Sequence, residues 1–221
     1  MLPTVRFFLN SYKPLAFSKA GRDAASRLNI PPFVDGSIRR EPDLEHEFPA
    51  ITCLCRTDKF APRLRVGDVI AYMTVKREYL PRQAEQRRLT AVLRVVQTLP
   101  SHEAAAEWYR SNQLPLPNNC LVSGNPPKPF EESYRPDDRR GCGLSCRNDD
   151  WERGYQLRAQ HFPRFVVCEP LYRDLSWDAP VVDEQMLVEV FGRIPPTRVP
   201  PASTIEEFTQ LMVRLGISVS M

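Results

Sequence analysis

The residues able to do chemistry are sparse, and their spacing limits what that chemistry can be. Cys142 and Cys146 form a CxxxC between arginines, with Cys120 upstream and His161 downstream. Thiolates there would be activated by Arg139, Arg140 and Arg147 and could hold zinc, but the second close ligand pair of a structural site is missing. Cys53 and Cys55 are expected to share one strand face, which suits buried thiols better than a metal. His46, His102 and His161 are the chain's three histidines. None has an acidic residue obviously placed to orient it, and Cys55 with His46 as nucleophile and base rests only on the presence of the two residue types. The chain has no glycine-rich phosphate loop, no HExxH and no GxSxG. Asp137-Asp138 and Asp149-Asp150 are adjacent loop acids that diverge, so they read as caps and solvation.

Aromatics interleaved with arginine make the richer pattern. Tyr12, Tyr72, Tyr79, Trp108, Tyr134, Trp151 and Trp177 could stack a base, while Arg39, Arg40 and Arg56 could meet phosphates. Trp108 and Trp151 fall on apolar helix faces, where packing claims them first. Arginine pairs recur at 39–40, 87–88 and 139–140, open to a reading as solvated faces or as phosphate contacts. The formal net charge of +3 neither announces nor opposes a nucleic-acid partner.

The elements that must position these groups follow from periodicity. Alternation predicts strands over 4–10, 50–56, 69–75, 89–98 and 164–169. In the third, Val69, Ala71, Met73 and Val75 share one face. In the fourth, Leu89, Ala91, Leu93 and Val95 do, and apolar residues on nearly both faces place it deep in a sheet or barrel. A short helix is expected near 23–28, weakened by Gly21, and another from an Ser101 cap. A third should open at an Asp150 cap and end before Pro163, and a fourth spans 183–191, capped by Asp183 and stopped by Gly192. Ser203 and Glu206 read as a capping box opening 204–215.

Two polar segments lie outside this pattern. Around Pro42, four charges (Arg39, Arg40, Glu41, Asp43) do not belong in a core; they suit a solvated edge or a polar arm lining a cleft, and can self-pair. Residues 114–150 hold six prolines and little periodicity, with 116–122 and 124–127 specified by Asn, Gly and Pro as turns. With 221 residues and 42% hydrophobic content, the chain supports one good core, with or without a small appendage. No run is long and apolar enough to span a bilayer, and no signal peptide is evident, so a cytoplasmic protein with reduced thiols is expected and a membrane partner is not.

The order of elements resembles the PUA-like superfamily, which includes the EVE, YTH and ASCH domains. The segments FAPRLRVGDVIAYMTVK, RRLTAVLRVVQTLPSHEAAAEWY and GYQLRAQHFPRFVVCEP look most like its nucleotide-modification-associated domains. That resemblance implies an α+β fold: a mostly antiparallel β-barrel over 1–169 with flanking helices and the polar loop, then a helical C-terminal extension over 170–221 packed on it. It implies binding of DNA, RNA or a modified nucleotide in a cleft beside the barrel, with links to modification or restriction, no cofactor and no catalytic residue assigned. By barrel position Tyr12, Arg39, Arg40, Arg56 and Tyr72 become cleft residues, with Asn118, Asn119 and Cys120 as loop contacts. No paired-Trp cage of the YTH kind is identifiable. A hydrolase acting on a nucleotide or modified base, and an interaction protein stabilised by a loop zinc, are the alternatives.

Overall fold

The computed structural model describes residues 5–80, 84–133, 148–194, 201 and 203–219. Six strands form one curled, mostly antiparallel half-barrel sheet. They are β1 (Phe7–Tyr12), β2 (Ala50–Ile51), β3 (Val69–Thr74), β4 (Arg87–Leu99), β5 (Phe165–Arg173) and β6 (Val181–Val182). Their order is β1-β3-β4-β5-β2, with β6 paired to the start of β4. β1 runs parallel to β3, and the other pairings are antiparallel. Among the described residues five α-helices accompany the sheet: α1 (Lys19–Leu28), α2 (His102–Ser111), α3 (Asn148–His161), α4 (Glu184–Phe191) and α5 (Ile205–Arg214).

Both faces of the sheet are covered, as the apolar character of β4 demands. One face packs Phe7, Leu9, Val69, Ala71 and Met73 against Leu187 and Val190 of α4 and Phe208, Leu211 and Met212 of α5. Each such buried side chain is worth about 1.5–3 kcal/mol. The other face packs Phe8, Tyr12, Ile70, Tyr72, Leu93 and Cys168 against Leu44, Ile51, Phe60 and Leu64. β3 alternates between these cores as its sequence requires. β4 does not: Leu89 joins Met73, while Ala91, Leu93 and Val95 face the opposite side. A register shift opposite Tyr72 and Met73 leaves Thr90 as an extra residue, so the side chains before it change face. Thr90 uses that position: its hydroxyl donates to Tyr72 O (3.1 Å) and accepts from the Tyr12 hydroxyl (3.0 Å).

The strand expected over 50–56 stops after two residues. The Thr52 N–H donates to the Glu41 carboxylate (2.9 Å) and the Leu54 N–H to Thr52 Oγ1 (3.2 Å), so neither serves a ladder. The chain then enters a 3-10 turn at Thr57–Lys59, with Thr57 at φ 49°. Cys53 and Cys55 consequently part, one buried and one exposed. α1 is longer than its expected core: Ser18 caps it, its side chain accepting from Gly21 N, and Gly21 is buried within the first turn. α3 begins two residues before the expected Asp150 cap. α4 has the expected Asp183 cap and a left-handed Gly192. At α5 the capping box is one residue later than expected: Thr204 Oγ1 accepts from Glu207 N, and Glu207 returns to Thr204 N. No described helix is long and apolar enough to cross a membrane.

Candidate functional site

The segment from Asp35 to His46 is densely hydrogen-bonded through polar side chains. Its first turn forms because Asp35 Oδ1 collects three donors: Ser37 N (2.8 Å), Ser37 Oγ (2.5 Å) and Glu41 N (3.0 Å). Arg40 closes the turn in a left-handed conformation, φ 43°, which its own guanidinium helps hold. That group donates to Asp35 O (2.9 Å), Ser37 O (3.1 Å), the Glu45 carboxylate (3.2 Å) and Glu132 O (3.0 Å). Arg39 points to the other side. It pairs through two nitrogens with Glu152 of α3 and donates to Asn118 O (3.0 Å) and Asn125 O (2.9 Å).

The four charges around Pro42 therefore lie inside the protein, against the expectation that they stay out of its core. Arg39, Arg40, Glu41 and Asp43 are 3%, 1%, 7% and 4% exposed. Burial is tolerable because each charge is met by fixed partners. Glu41 accepts from Thr52 N, Thr52 Oγ1 (2.5 Å) and Asn119 Nδ2 (2.9 Å), yet desolvation still pushes its carboxyl up to about 7. The same burial raises Asp35 to about 6, with Arg40 and the Ser37 bonds opposing it. Asp43 accepts from Asn118 N (2.6 Å) and Glu45 N (3.2 Å), tying the segment to the loop after α2.

Between this segment and that loop lies a cleft of about 420 Å³. Asp43, Glu45 and His46 form one wall, Leu116, Asn118 and Asn125 the other, and Pro126, Pro127 and Lys128 close it. Three arginines fix the walls from behind. Arg39 holds the carbonyls of Asn118 and Asn125, and Arg40 holds Glu45. Arg173, at the end of β5, donates to the carbonyls of Leu44, Glu45 and His46 at 3.1, 3.2 and 2.6 Å. Asn125 braces its own loop through Pro117 O and Cys120 O. His46 accepts from Phe48 N (3.0 Å) and reaches Pro115 O (2.8 Å), so both ring nitrogens are engaged and neither serves Cys55 as a base.

The structure brings Arg39, Arg40, Asn118 and Asn119 together here, with their polar groups directed into the wall. Cys120 is buried behind them, its thiol pushed up to about 12 by desolvation and bonded to His102 O (3.4 Å). Tyr12, Tyr72 and Arg56 form a separate group at the end of β1. Arg56 donates to Asn10 Oδ1 and Ser11 O, while the two tyrosine rings meet edge to face at 6.1 Å in the core. Both tyrosines are almost fully enclosed, so stacking a base on either requires that core to open. Residues 134–147, with Tyr134, Arg139, Arg140, Cys142 and Cys146, lie outside the described residues. Among the described residues no three or more His, Cys, Asp or Glu side chains gather as a metal site.

Sequence reasoning named Glu41 and Asp43 only as members of a charged segment that could line a cleft and Asn125 only as a turn former, and it passed over Glu152, Arg173 and Lys128 as site residues. The usable signal was the crowding of arginine and acid at 39–43 beside an Asn-rich loop; Glu152 and Arg173 are distant in sequence and carried none. Compared with known protein families, curated proteins and solved structures, the chain matches none.

Proposed function

We propose that this protein binds nucleic acid or a modified nucleotide, seating a base in the cleft between residues 43–46 and 116–128. The observation that carries this is the cleft itself: about 420 Å³ of space whose walls are preset by Arg39, Arg40 and Arg173. A cavity of that size takes a nucleoside-sized ligand, and fixed walls reduce the ordering cost of binding. Asp43 and Glu45 offer acceptors to base N–H groups, and the prolines give apolar walls. Lys128, half-exposed at the edge and 3.8 Å from the Glu132 carboxylate, is a cation within reach of a phosphate. The buried arginines act by positioning, so phosphate affinity should be modest and salt-sensitive.

The test is a binding panel of single-stranded and duplex DNA and RNA, with and without modified bases, over a salt series. Support is a preference for one base or modification that falls at least tenfold in Glu45→Gln and weakens with salt less steeply in Lys128→Ala. Background binding across the whole panel would reject the assignment.

A further inference from the structure

A second cavity is bordered by a residue with a polar group that no described residue satisfies. It measures about 330 Å³ and lies between the start of α2 (His102, Glu103), Leu121, and the end of α3 (Gln156, Ala159, Gln160) with Pro163. His102 is 3% exposed. Its Nδ1 accepts the Leu121 N–H at 3.1 Å, so the proton of the neutral ring resides on Nε2. Nε2 is buried and has no hydrogen-bond partner among the described residues. A buried N–H donor left without an acceptor costs about 1–3 kcal/mol. His102 is one of the residues that border the cavity, and since Nε2 itself is closed off, an acceptor entering from that side reaches it only as the lining side chains move.

The surroundings narrow the acceptor's chemistry. With Nδ1 occupied by a backbone N–H and Nε2 protonated, the ring is a donor and cannot ligate a metal without losing a proton. Burial pushes the imidazole down to about 4, so the donor is neutral at ordinary pH and has no charge to attract an anion. Glu103, whose carboxyl is held low by its bond to Ser101, adds a negative charge that repels one. Gln156 and Gln160 stand one turn apart on α3, each offering an amide donor and acceptor. Leu121, Ala159 and Pro163 supply apolar walls. The volume lies at the small end for ligand sites.

We infer that this cavity takes a neutral, planar lactam ring of pyrimidine size, its carbonyl oxygen accepting from His102 Nε2 and its N–H groups meeting the glutamines or Glu103. Uracil and thymine have this edge, as a free base or as a base turned out of a strand. The site is separate from the cleft assigned above and does not depend on it.

The experiment follows the histidine rings by long-range proton–nitrogen NMR while the full chain is titrated with uracil, thymine, 1,3-dimethyluracil, cytosine or inorganic phosphate. Uracil or thymine should shift His102 Nε2, with dimethyluracil, which lacks both N–H groups, at least tenfold weaker and phosphate without effect. Gln156→Ala and Gln160→Ala, both on exposed positions, should each weaken uracil binding about tenfold with the urea midpoint unchanged. Lys128→Glu, which alters the other cleft, should leave it intact. Oligo-dT against oligo-dA of equal length separates a base in a strand from a free one. No response of His102 to any pyrimidine, leaving bound water as its acceptor, or an equal response to dimethyluracil, would overturn the inference.

Discussion

The pair between Arg39 and Glu152 is the joint between the charged segment and α3, and its removal should be felt in both stability and binding. The Arg39 side chain is 3% exposed and that of Glu152 21%. Arg39→Met deletes two charge-assisted bonds to Glu152 and two donors to the wall carbonyls of Asn118 and Asn125. Breaking a buried pair from one side costs about 3–5 kcal/mol, because the partner is left desolvated. With a urea m-value of about 2 kcal/mol/M, the unfolding midpoint should fall by about 2 M. Glu152→Leu should cost somewhat less, since Arg39 retains two carbonyl acceptors. The double variant removes both charges, so its loss should fall short of the summed singles by about 2 kcal/mol. Urea unfolding followed by tryptophan fluorescence and by circular dichroism measures all four corners of the cycle. Additivity within about 0.5 kcal/mol would refute the coupling, and with it the claim that Arg39 presets the cleft.

Two further outcomes test the local chemistry. Thr204→Ala should lose about 1 kcal/mol through the α5 cap, whereas Ser203→Ala should be neutral or stabilising, because Ser203 Oγ is buried without a partner; urea midpoints that rank them the other way would contradict the cap. Stability should also depend on pH between about 4 and 7. Asp35 and Glu41 hold protons in the folded chain that the unfolded chain releases, so their contribution is lost as pH rises through that window. His102, shifted down, works oppositely, its contribution being lost as pH falls below about 6.5 toward 4. Two carboxyls outweigh one imidazole, so the chain should be less stable at about pH 7 than at about pH 5. Glu41→Gln should narrow that gap and His102→Gln widen it, and a gap unmoved by both would refute the assigned shifts.

Local pattern carried much of the architecture. The alternation in 69–75, the apolar run of β4, the Asp183 and Ser101 caps and the stripe of Phe208, Leu211 and Met212 each state a short-range preference that the fold keeps. These signals are legible because period and capping depend on neighbours within a turn or two. The parallel pairing of β1 with β3, and the packing of α4 and α5 onto that sheet, join residues far apart in sequence and leave no local trace.

The polar centre shows the same division more sharply. Arginine and acid crowded into 39–43, and asparagine into 118–125, mark both segments as special in the sequence alone. Their burial was decided by tertiary structure, because a charge enters the interior only when distant partners meet it. Glu152, Thr52, Asn119 and Glu132 supply those partners from four separate parts of the chain. Residue type set what Arg39 and Glu41 could bond; only the assembled fold set what they do bond, and so turned apparent surface charges into the frame of a cleft.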